Sequence, residues 1–369
     1  MADIHALWLA GVLPPDAPCV FRLLDCFGSP LEIYNAGREA LSATGLLTGA
    51  ELRALSDKSM AGAKYIEENC RKYKVEVTHP WQEDYPPLLS HIAQPPVTLY
   101  YKGDLSALTK PLTLAIVGTR GCTPYGESCA ADFAKALAGC GITIVSGLAE
   151  GIDAAAHRGA IEGGGRTAAV MATGHDRVYP YVNSGLYEEI LKTGGVVLSE
   201  YYPECRVEKN SFVIRNRIVS GLSYGTLIAE AGEPSGALAT ARHTLDQDRD
   251  LFALPGPVTS PASKGTNGLI KSLSARAVTE PADILAEYIA LYPEKLYLPA
   301  RPAAGSAALS RDEERLSALL ASGGGMSPRL LMRLSGMEEY LLNETLTQLI
   351  HKGTIKKLPD GRFDRTERK

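Results

Sequence analysis

A short apolar segment, residues 211–223, contains two arginines, an asparagine and a phenylalanine. A cation in apolar surroundings is costly unless it is paired, so we expect these arginines to face a crevice that holds an anionic ligand. Together with a lysine just before the segment, these residues predict binding of a phosphate backbone. The side chains concerned are Lys209, Phe212, Arg215, Asn216 and Arg217.

A second anion-binding pattern follows an apolar run, where Gly118, Thr119 and Arg120 precede a predicted helix. Glycine lets backbone N–H groups approach an anion, the helix N-terminus adds a positive dipole, and the guanidinium adds charge-assisted hydrogen bonds. The next run ends in Ser146 and Gly147. The G-x-G-x-x-G pattern and the acidic ribose ligand are both missing, so we do not expect NAD to bind.

Two acidic side chains and a histidine follow the predicted strands, and their roles leave alternatives open. Asp153 and His157 come after Gly151 and are four residues apart, which places them on one face of the predicted helix. They could form an acid/base pair or a structural ion pair. Glu200 follows another run and could either take part in catalysis or hold an arginine in place.

Further glycine and serine loops extend the predicted rim. Ser235 and Gly236 open one helix, and Lys264 lies in a loop after the last apolar run. Many such loops on one edge make a long groove, which suits a polymer better than a small ligand. The chain has no G-x-S-x-G, H-E-x-x-H or Walker A motif, so we expect no hydrolase apparatus of these kinds.

Six short apolar runs separated by helical stretches must position these loops. Such runs predict parallel strands buried on both faces, joined by right-handed crossovers into a doubly wound α/β sheet. Ligands then bind beyond the carboxyl ends of the strands. The runs are residues 114–117, 142–145, 168–171, 196–198, 226–229 and 251–254, and a further strand is predicted at 97–101.

The flanking regions differ from this core, which we place at 79–290. Residues 1–78 predict a small helical domain, either a helix-hairpin-helix module that contacts nucleic acid or a packing or dimerisation module. A linker, 291–307, precedes residues 308–369, where three helices and a hairpin predict a winged helix. Its third helix is almost uncharged, which favours protein contact over DNA reading. The predicted helices are 311–320, 328–334 and 338–351, and Asp360 and Gly361 form the turn.

Composition limits the remaining possibilities. The 369 residues carry a net charge of −4, so any nucleic-acid site must be a focused patch. Seven cysteines show no CxxC pair and no zinc spacing, which indicates reduced thiols and no structural metal. There is no signal-peptide pattern and no apolar run of roughly 18 residues. We expect a soluble, cytoplasmic protein without membrane contact, metal or cofactor.

Several motifs together closely resemble the DNA-processing protein A (DprA/Smf) family over about residues 80–285. They are Ile116–Arg120, Ser146–Asp153 with His157, Tyr179–Asn183, Arg215–Ser223, Ser235–Gly236, and Phe252–Gly256 through Gly265–Ile270. His175 and Val213 depart from the family's usual residues, but neither removes a cation. The flanking regions also resemble that family's helical N-terminal and winged-helix C-terminal domains.

The resemblance implies an extended Rossmann-like core that binds single-stranded DNA, forms a homodimer and helps load the recombinase RecA onto incoming DNA during natural transformation. It implies no catalysis and no cofactor. By position, the groove residues would be Arg120, Ser146, Gly147, Lys209, Phe212, Arg215 and Arg217, with Phe212 stacking on bases. The supporting loop residues would be Gly118, Thr119, Gly151, Asp153, Asn216, Ser235, Gly236 and Lys264.

The alternative is a nucleotide-processing enzyme on the same architecture, similar to the phosphoribohydrolases of the lysine-decarboxylase-like family. The segment Tyr224–Glu230 is similar to that family's Pro-Gly-Gly-x-Gly-Thr-x-x-Glu motif. However, the Pro-Gly-Gly is absent, and the spacing to the glutamate is one residue too long.

Overall fold

The computed structural model divides the chain into two compact units, Met1–Tyr297 and Leu298–Lys369. The described residues are 3–14, 17–208, 210–289, 291–296, 310–321, 325–338, 341–342, 345–346, 349–350, 354–358 and 361–366. The predicted domain boundaries at 78, 290 and 307 stay predictions.

Within the first unit, nine strands of the described residues form one sheet in the order β1-β2-β6-β5-β4-β3-β7-β8-β9. Strands β3 to β9 are parallel to one another, whereas β2 is antiparallel to β6 and β1 is antiparallel to β2. The bounds are β1 Glu76–Thr78, β2 Leu99–Gly103, β3 Thr113–Gly118, β4 Thr143–Ser146, β5 Thr167–Met171, β6 Val196–Ser199, β7 Gly225–Glu230, β8 Asp250–Ala253 and β9 Arg276–Ala277.

Helices precede the sheet and connect its strands. The N-terminal bundle consists of α1 Ile4–Val12, α2 Cys19–Phe27, α3 Pro30–Asn35, α4 Arg38–Ala43, α5 Gly49–Ser56 and α6 Ala61–Tyr73. The remaining helices of the unit are α7 Pro87–Ser90, α8 Pro124–Gly139, α9 Ile152–Glu162, α10 Ser184–Lys192, α11 Ser211–Gly221, α12 Gly236–Asp246, α13 Lys264–Lys271 and α14 Pro281–Ile289. Single 3-10 turns lie at Leu105–Leu108, Tyr181–Asn183, Pro261–Ser263 and Pro293–Lys295.

The sheet is buried on both faces, as the continuous apolar runs predict. Alternate residues of β3 point to opposite faces, with Leu114 and Ile116 packing towards α8, α9 and α14, and Ala115 and Val117 towards α7, α11 and α12. The result is a helix-sheet-helix sandwich, which confirms the expected Rossmann-like core. All six core runs are strands within one residue of their predicted bounds.

The order of the strands creates a switch point in the middle of the sheet. The chain builds outward from β3 through β4, β5 and β6, and then returns through α11 to β7 on the other side of β3. Loops therefore diverge at the carboxyl ends of β3 and β7 and leave a crevice between them, the usual ligand position in open α/β sheets.

The N-terminal bundle packs on the antiparallel edge of the sheet. Tyr100 of β2 lies in the same apolar cluster as the bundle residues Leu7, Trp8 and Leu23. Helix α6 also contacts the loop between β6 and α11, where the Glu204 carboxylate accepts hydrogen bonds from three α6 side chains. The donors are Tyr65 Oη at 2.9 Å, Lys72 Nζ at 2.6 Å and Tyr73 Oη at 2.7 Å.

The second unit contains two of the predicted helices, α15 Arg311–Ala321 and α16 Pro328–Ser335. Its strands β10 Ile355–Lys357 and β11 Phe363–Arg365 form an antiparallel pair. Half of the predicted third helix and the turn residue Asp360 lie outside the described residues. The winged helix therefore stays a prediction. Over the described ranges, no helix combines the length and apolarity needed to cross a bilayer.

Candidate nucleic-acid interface

A cleft of about 420 Å³ opens at the switch point, above the carboxyl ends of β3, β4 and β7 and beside α11. Its lining comes from four separate segments of the chain, as the sequence predicts for a rim of strand-end loops. The lining residues are Val117, Gly118, Thr119, Arg120, Gly147, Ala149, Asp153, Phe212, Val213, Arg215, Asn216, Val219, Gly232, Pro234, Ser235, Gly236, Ala237 and Thr240.

The turn after β3 forms one wall of this cleft. Its backbone is fixed on both sides, because Thr119 N donates to Glu230 O at 2.8 Å and Ile152 N donates to Thr119 O at 3.3 Å. Gly151 lies behind the turn with φ +75°, and a Cβ there would be 2.4 Å from Arg120 O. Glycine is therefore required at 151, and the turn presents Arg120 at a fixed place.

Arg120 is the exposed cation of the cleft, and it lies over an aromatic ring. Its guanidinium carbon is 5.3 Å from the Phe212 ring centroid, within cation–π range. Among the described residues, Arg120 has no ion-pair partner, so its charge is available to a ligand. Phe212 also meets the Tyr179 ring edge-on, with centroids 5.4 Å apart. The rim thus combines a free cation with two aromatic faces.

The opposite wall is the N-terminus of α12. Ser235 is its N-cap, and the Ser235 hydroxyl accepts a hydrogen bond from Ala237 N at 3.3 Å. Gly236, the first residue of this 11-residue helix, is exposed and lines the cleft, whereas Ala237 N and Leu238 N already bond to Ser235. Asn216 Nδ2 joins this wall to α11 by donating to Gly236 O at 3.3 Å. Helix N-termini of this kind favour anions, including phosphate.

Arg215 forms the floor of the cleft instead of projecting into it. Its buried guanidinium donates to the carbonyl oxygens of Gly147 and Val170, which fixes α11 on β4 and β5. Burial lowers the pKa of Arg215, and nearby Asp153 opposes that shift. A Cβ on Gly147 would lie 2.5 Å from the guanidinium, so this close approach requires glycine. Nη1 and Nε are bonded within the protein, whereas Nη2 has no hydrogen bond among the described residues and Arg215 lines the cleft, so its role as a DNA-binding residue stays a prediction.

Asp153 and His157 bond to different partners, so the described residues show neither the acid/base pair nor the structural ion pair that their spacing left open. The Asp153 carboxylate accepts Gly147 N at 3.1 Å and Ala149 N at 3.4 Å, so it stabilises the turn after β4. Burial raises the pKa of Asp153, and Arg215 opposes the rise. His157 instead places Nδ1 2.6 Å from Thr167 Oγ1 in the interior. Both side chains are structural, and they form no acid/base pair.

Arg217 does not reach the cleft at all. Its guanidinium makes two hydrogen bonds to the Glu200 carboxylate, at 2.6 and 2.8 Å, and Nε donates to Gln94 O at 3.1 Å. The two side chains are only 8% and 5% exposed. The expectation that Arg217 faces an anionic ligand is therefore wrong. The alternative that Glu200 holds an arginine in place is confirmed.

Of three other predicted site residues, two do not line the cleft and one lies outside the described residues. Ser146 is fully buried and donates its hydroxyl to Ile116 O at 2.6 Å, so it does not line the cleft. Lys264 is exposed, but it lines a separate groove of about 370 Å³ between α12 and α13. Lys209 lies outside the described residues, and its assignment stays a prediction.

Sequence reasoning missed some of the residues that shape the rim. Pro234 and Thr240 line the cleft, and Tyr179 lines a small adjoining cavity of about 30 Å³ together with Arg120 and Phe212. The signal for Tyr179 was present, since an aromatic pair interrupted by proline follows the third core strand. The exposed carboxylate of Glu150 also borders this adjoining cavity.

The segment that suggested a phosphoribohydrolase does not supply a free carboxylate. Glu230 is buried and accepts hydrogen bonds from Thr123 N at 2.7 Å and Thr123 Oγ1 at 2.6 Å. It thereby stabilises the start of α8 instead of facing the cleft. Across the described ranges, no group of three or more His, Cys, Asp or Glu side chains is placed to hold a metal ion.

Comparison with known protein families gives a match over the core. The family model described as DNA recombination-mediator protein A matches residues 76–289. Protein Smf of Escherichia coli is 43% identical over 203 residues, which span 55% of this chain and 54% of that protein. DNA processing protein DprA of Bacillus subtilis is 40% identical over 205 residues, 56% of this chain and 68% of the relative. The similarity to Smf thus spans only about half of that relative's length.

Two solved structures share the fold at 32% sequence identity. DNA processing protein A from Streptococcus pneumoniae superposes with a TM-score of 0.66, covering 78% of this chain and 98% of that one. DNA processing protein A from Helicobacter pylori, in a structure reporting its single-stranded DNA binding mode, superposes with a TM-score of 0.54. The superposition covers 59% of this chain and 96% of that one.

Proposed function

The chain belongs to the DNA recombination-mediator protein A family, and from this premise we propose that it binds single-stranded DNA along the carboxyl edge of its sheet. The Helicobacter pylori relative, which is reported to bind single-stranded DNA, supports the proposal. The observation that carries it is the exposed Arg120 guanidinium over the Phe212 ring, in a cleft that the exposed Gly236 at the N-terminus of α12 also lines.

This arrangement suits a strand without sequence preference. Main-chain N–H groups and one guanidinium can bind phosphates, while an aromatic face stacks equally well on any base. A duplex keeps its bases inside the stack and cannot offer them to Phe212. We therefore expect the protein to prefer single strands over duplexes of the same length.

The test is a fluorescence-polarisation titration of oligo-dT and of a matched duplex at several salt concentrations. Arg120→Ala with Phe212→Ala should weaken oligo-dT binding by at least tenfold, because the variant loses a phosphate contact and a stacking face. Arg158→Ala, which removes an exposed arginine of α9, should bind like the wild type. Arg215 and Arg217 are unsuitable for this test because both hold the fold together.

Binding of oligo-dT by the folded Arg120/Phe212 double variant at wild-type strength would overturn this assignment. Equal affinity of the wild type for single strands and duplexes would overturn the proposed preference.

We also propose the wider role that the family resemblance implies: a cytoplasmic homodimer that processes incoming DNA during natural transformation and helps load RecA. Sedimentation of the free protein tests the dimer. The rate at which RecA covers oligonucleotide already coated with single-strand binding protein tests loading, and Arg120→Ala should slow it. If RecA covers the coated oligonucleotide equally fast with the wild-type protein and without any added protein, loading is excluded.

We propose that this role is binding without catalysis. The phosphoribohydrolase alternative has lost its residue support, because Glu230 is bonded to Thr123. Release of free base from nucleoside monophosphates by the purified protein would revive that alternative.

A further inference from the structure

Three of the four residues in the segment Tyr179–Val182 are large, apolar or aromatic, and exposed beside the cleft. Tyr179 is 53% exposed, Tyr181 is 85% exposed and Val182 is 69% exposed. Single exposed apolar residues need no explanation, but contiguous ones mark a surface that contacts a ligand or a partner. Pro180, between the two tyrosines, also lines the small cavity next to Arg120 and Phe212.

The backbone of this segment is fixed to the cleft wall. Asn183 is buried, and its Nδ2 donates to Leu148 O at 2.9 Å, within the turn that carries Gly147. Asn183 N donates to Pro180 O at 3.1 Å, and the Ser184 hydroxyl donates to Tyr181 O at 2.6 Å. The tyrosine rings therefore project from an ordered turn, which lowers the entropy lost when they bind something.

The segment also continues the aromatic row of the cleft. Phe212 contacts the Tyr179 ring, and Tyr181 follows two residues later, at most ~7 Å further along the chain. Arg177, on the same loop, is already paired with Asp176 at 3.5 Å, so the segment offers aromatic surface and not charge. A single strand lying over Arg120 and Phe212 thus has a further exposed aromatic residue close by.

We propose that Tyr181 is a second base-stacking subsite, which extends the strand-binding groove beyond Phe212. The subsite rests on the proposed function, and its ligand is a nucleobase of the same bound strand, of any sequence. Stacking uses the ring face and not the hydroxyl, so phenylalanine can replace tyrosine there.

The test compares oligo-dT of about 4 and about 15 nucleotides, bracketing the usual span of one such groove. Tyr181→Ala should weaken binding of the long strand roughly tenfold and leave the short strand unchanged, because loss of one stacked base costs about that much. Tyr181→Phe should bind both strands like the wild type.

Tryptophan at the same place gives a direct reading of contact. The fluorescence of Tyr181→Trp should be quenched by long oligo-dT. The control is Leu31→Trp, a tryptophan at an exposed position of α3 in the N-terminal bundle, which should not respond.

The outcomes separate the subsite from the function on which it rests. If the wild type binds neither strand, the proposed function fails and the subsite fails with it. If the wild type binds both strands while Tyr181→Ala binds the long one equally well, the subsite alone is refuted. Equal losses on short and long strands would also refute an extension of the groove. A Tyr181→Ala variant that changes its oligomeric state but binds DNA like the wild type would also refute the subsite. That result would assign the exposed residues to a contact with a protein partner.

Discussion

Arginines in this protein perform two different tasks, although the sequence presents them alike. Arg120 is exposed over an aromatic ring, whereas Arg215 and Arg217 are buried and bonded within the chain. A buried guanidinium is tolerated because carbonyl and carboxylate oxygens satisfy its N–H groups. Arg217 therefore stabilises the fold, Arg215 forms the floor of the cleft, and Arg120 is the exposed one of the three.

Removing Arg217 should destabilise the protein strongly. Arg217→Met leaves the Glu200 carboxylate buried without its guanidinium, and breaking a buried pair in this way costs about 3–5 kcal/mol. Urea unfolding measures the loss, with Arg158→Met as an exposed control that should change little. Replacing both partners, as Arg217→Met with Glu200→Leu, should recover most of the stability. If the unfolding free energy of the Arg217→Met single variant lies within 1 kcal/mol of the wild-type value, the structural role of Arg217 is contradicted.

Two buried histidines should make stability depend on pH. Burial lowers the pKa of His157 to about 3 and that of His175 to about 4. Above the unfolded pKa of roughly 6.5 both states are neutral; below it the unfolded chain takes up protons that the folded protein refuses. Each histidine should therefore cost roughly 2 kcal/mol of unfolding free energy between pH 7 and pH 5.

Urea titrations at pH 7 and pH 5 measure this dependence. The pKa values of His79 and His243 are also lowered by burial, and these residues add to the same trend. A His175→Gln variant should show a smaller difference between the two pH values than the wild type. An equal difference in both proteins would show that His175 does not contribute.

At the residue scale, the sequence predicted which residue types surround the cleft but not their directions. Arg120 follows a strand end, so its position on the rim followed from topology. Arg215 and Arg217 lie on α11, and only the packing of that helix on the sheet decides which of its faces is buried. The sequence placed Lys264 correctly after the last core strand, β8. Its side chain nevertheless lines the groove between α12 and α13 and not the cleft.

At the scale of elements, the loop between β6 and α11 links the N-terminal bundle to the cleft. Besides the three bonds from α6, Glu204 N donates to Asp176 Oδ1 at 2.8 Å, and Asn69 Nδ2 of α6 donates to Pro203 O at 3.3 Å. Glu204 has φ +67°, a conformation that its contacts must maintain. Hydrogen bonds from Lys72, Tyr73 and Tyr65 lower the Glu204 pKa to about 2, so the carboxylate stays charged near neutral pH.

Glu204→Ala should loosen this loop without unfolding the protein. We expect faster amide hydrogen exchange over residues 201–212, because α6 then loses its hold on the segment that leads to Phe212. The midpoint of global unfolding should change little, since exposed ion pairs contribute little to stability. Glu208→Ala, an exposed glutamate of the same loop, is the control and should leave exchange unchanged. Equal exchange in the Glu204 variant and the wild type would refute the anchoring role.

The elements themselves were predictable to different degrees. Apolar runs gave the six core strands because a strand buried on both faces needs a continuous apolar sequence. Strands β1 and β9 have three and two residues, too few for a pattern, and they form only because a partner strand is already in place. The strand predicted at 97–101 is displaced to Leu99–Gly103, where it pairs with β6.

At the scale of the molecule, the cleft and every element that builds it belong to the first unit. The family match at residues 76–289 covers the same part of the chain. Short-range patterns identified this core because each of its loops follows a strand end. The expected protein-contact role of the second unit stays a prediction.

The distribution of charge also determines how a strand reaches the cleft. The chain carries a net charge of −4, and Arg120 is the exposed cation among the described lining residues. A negative protein repels a polyanion over roughly 10 Å at 0.1 M salt, so encounters are not accelerated by long-range attraction. Tight binding must then come from slow dissociation once bases are stacked. For the proposed complex we therefore expect the affinity to be set by how long a strand stays bound, and not by the speed of its capture.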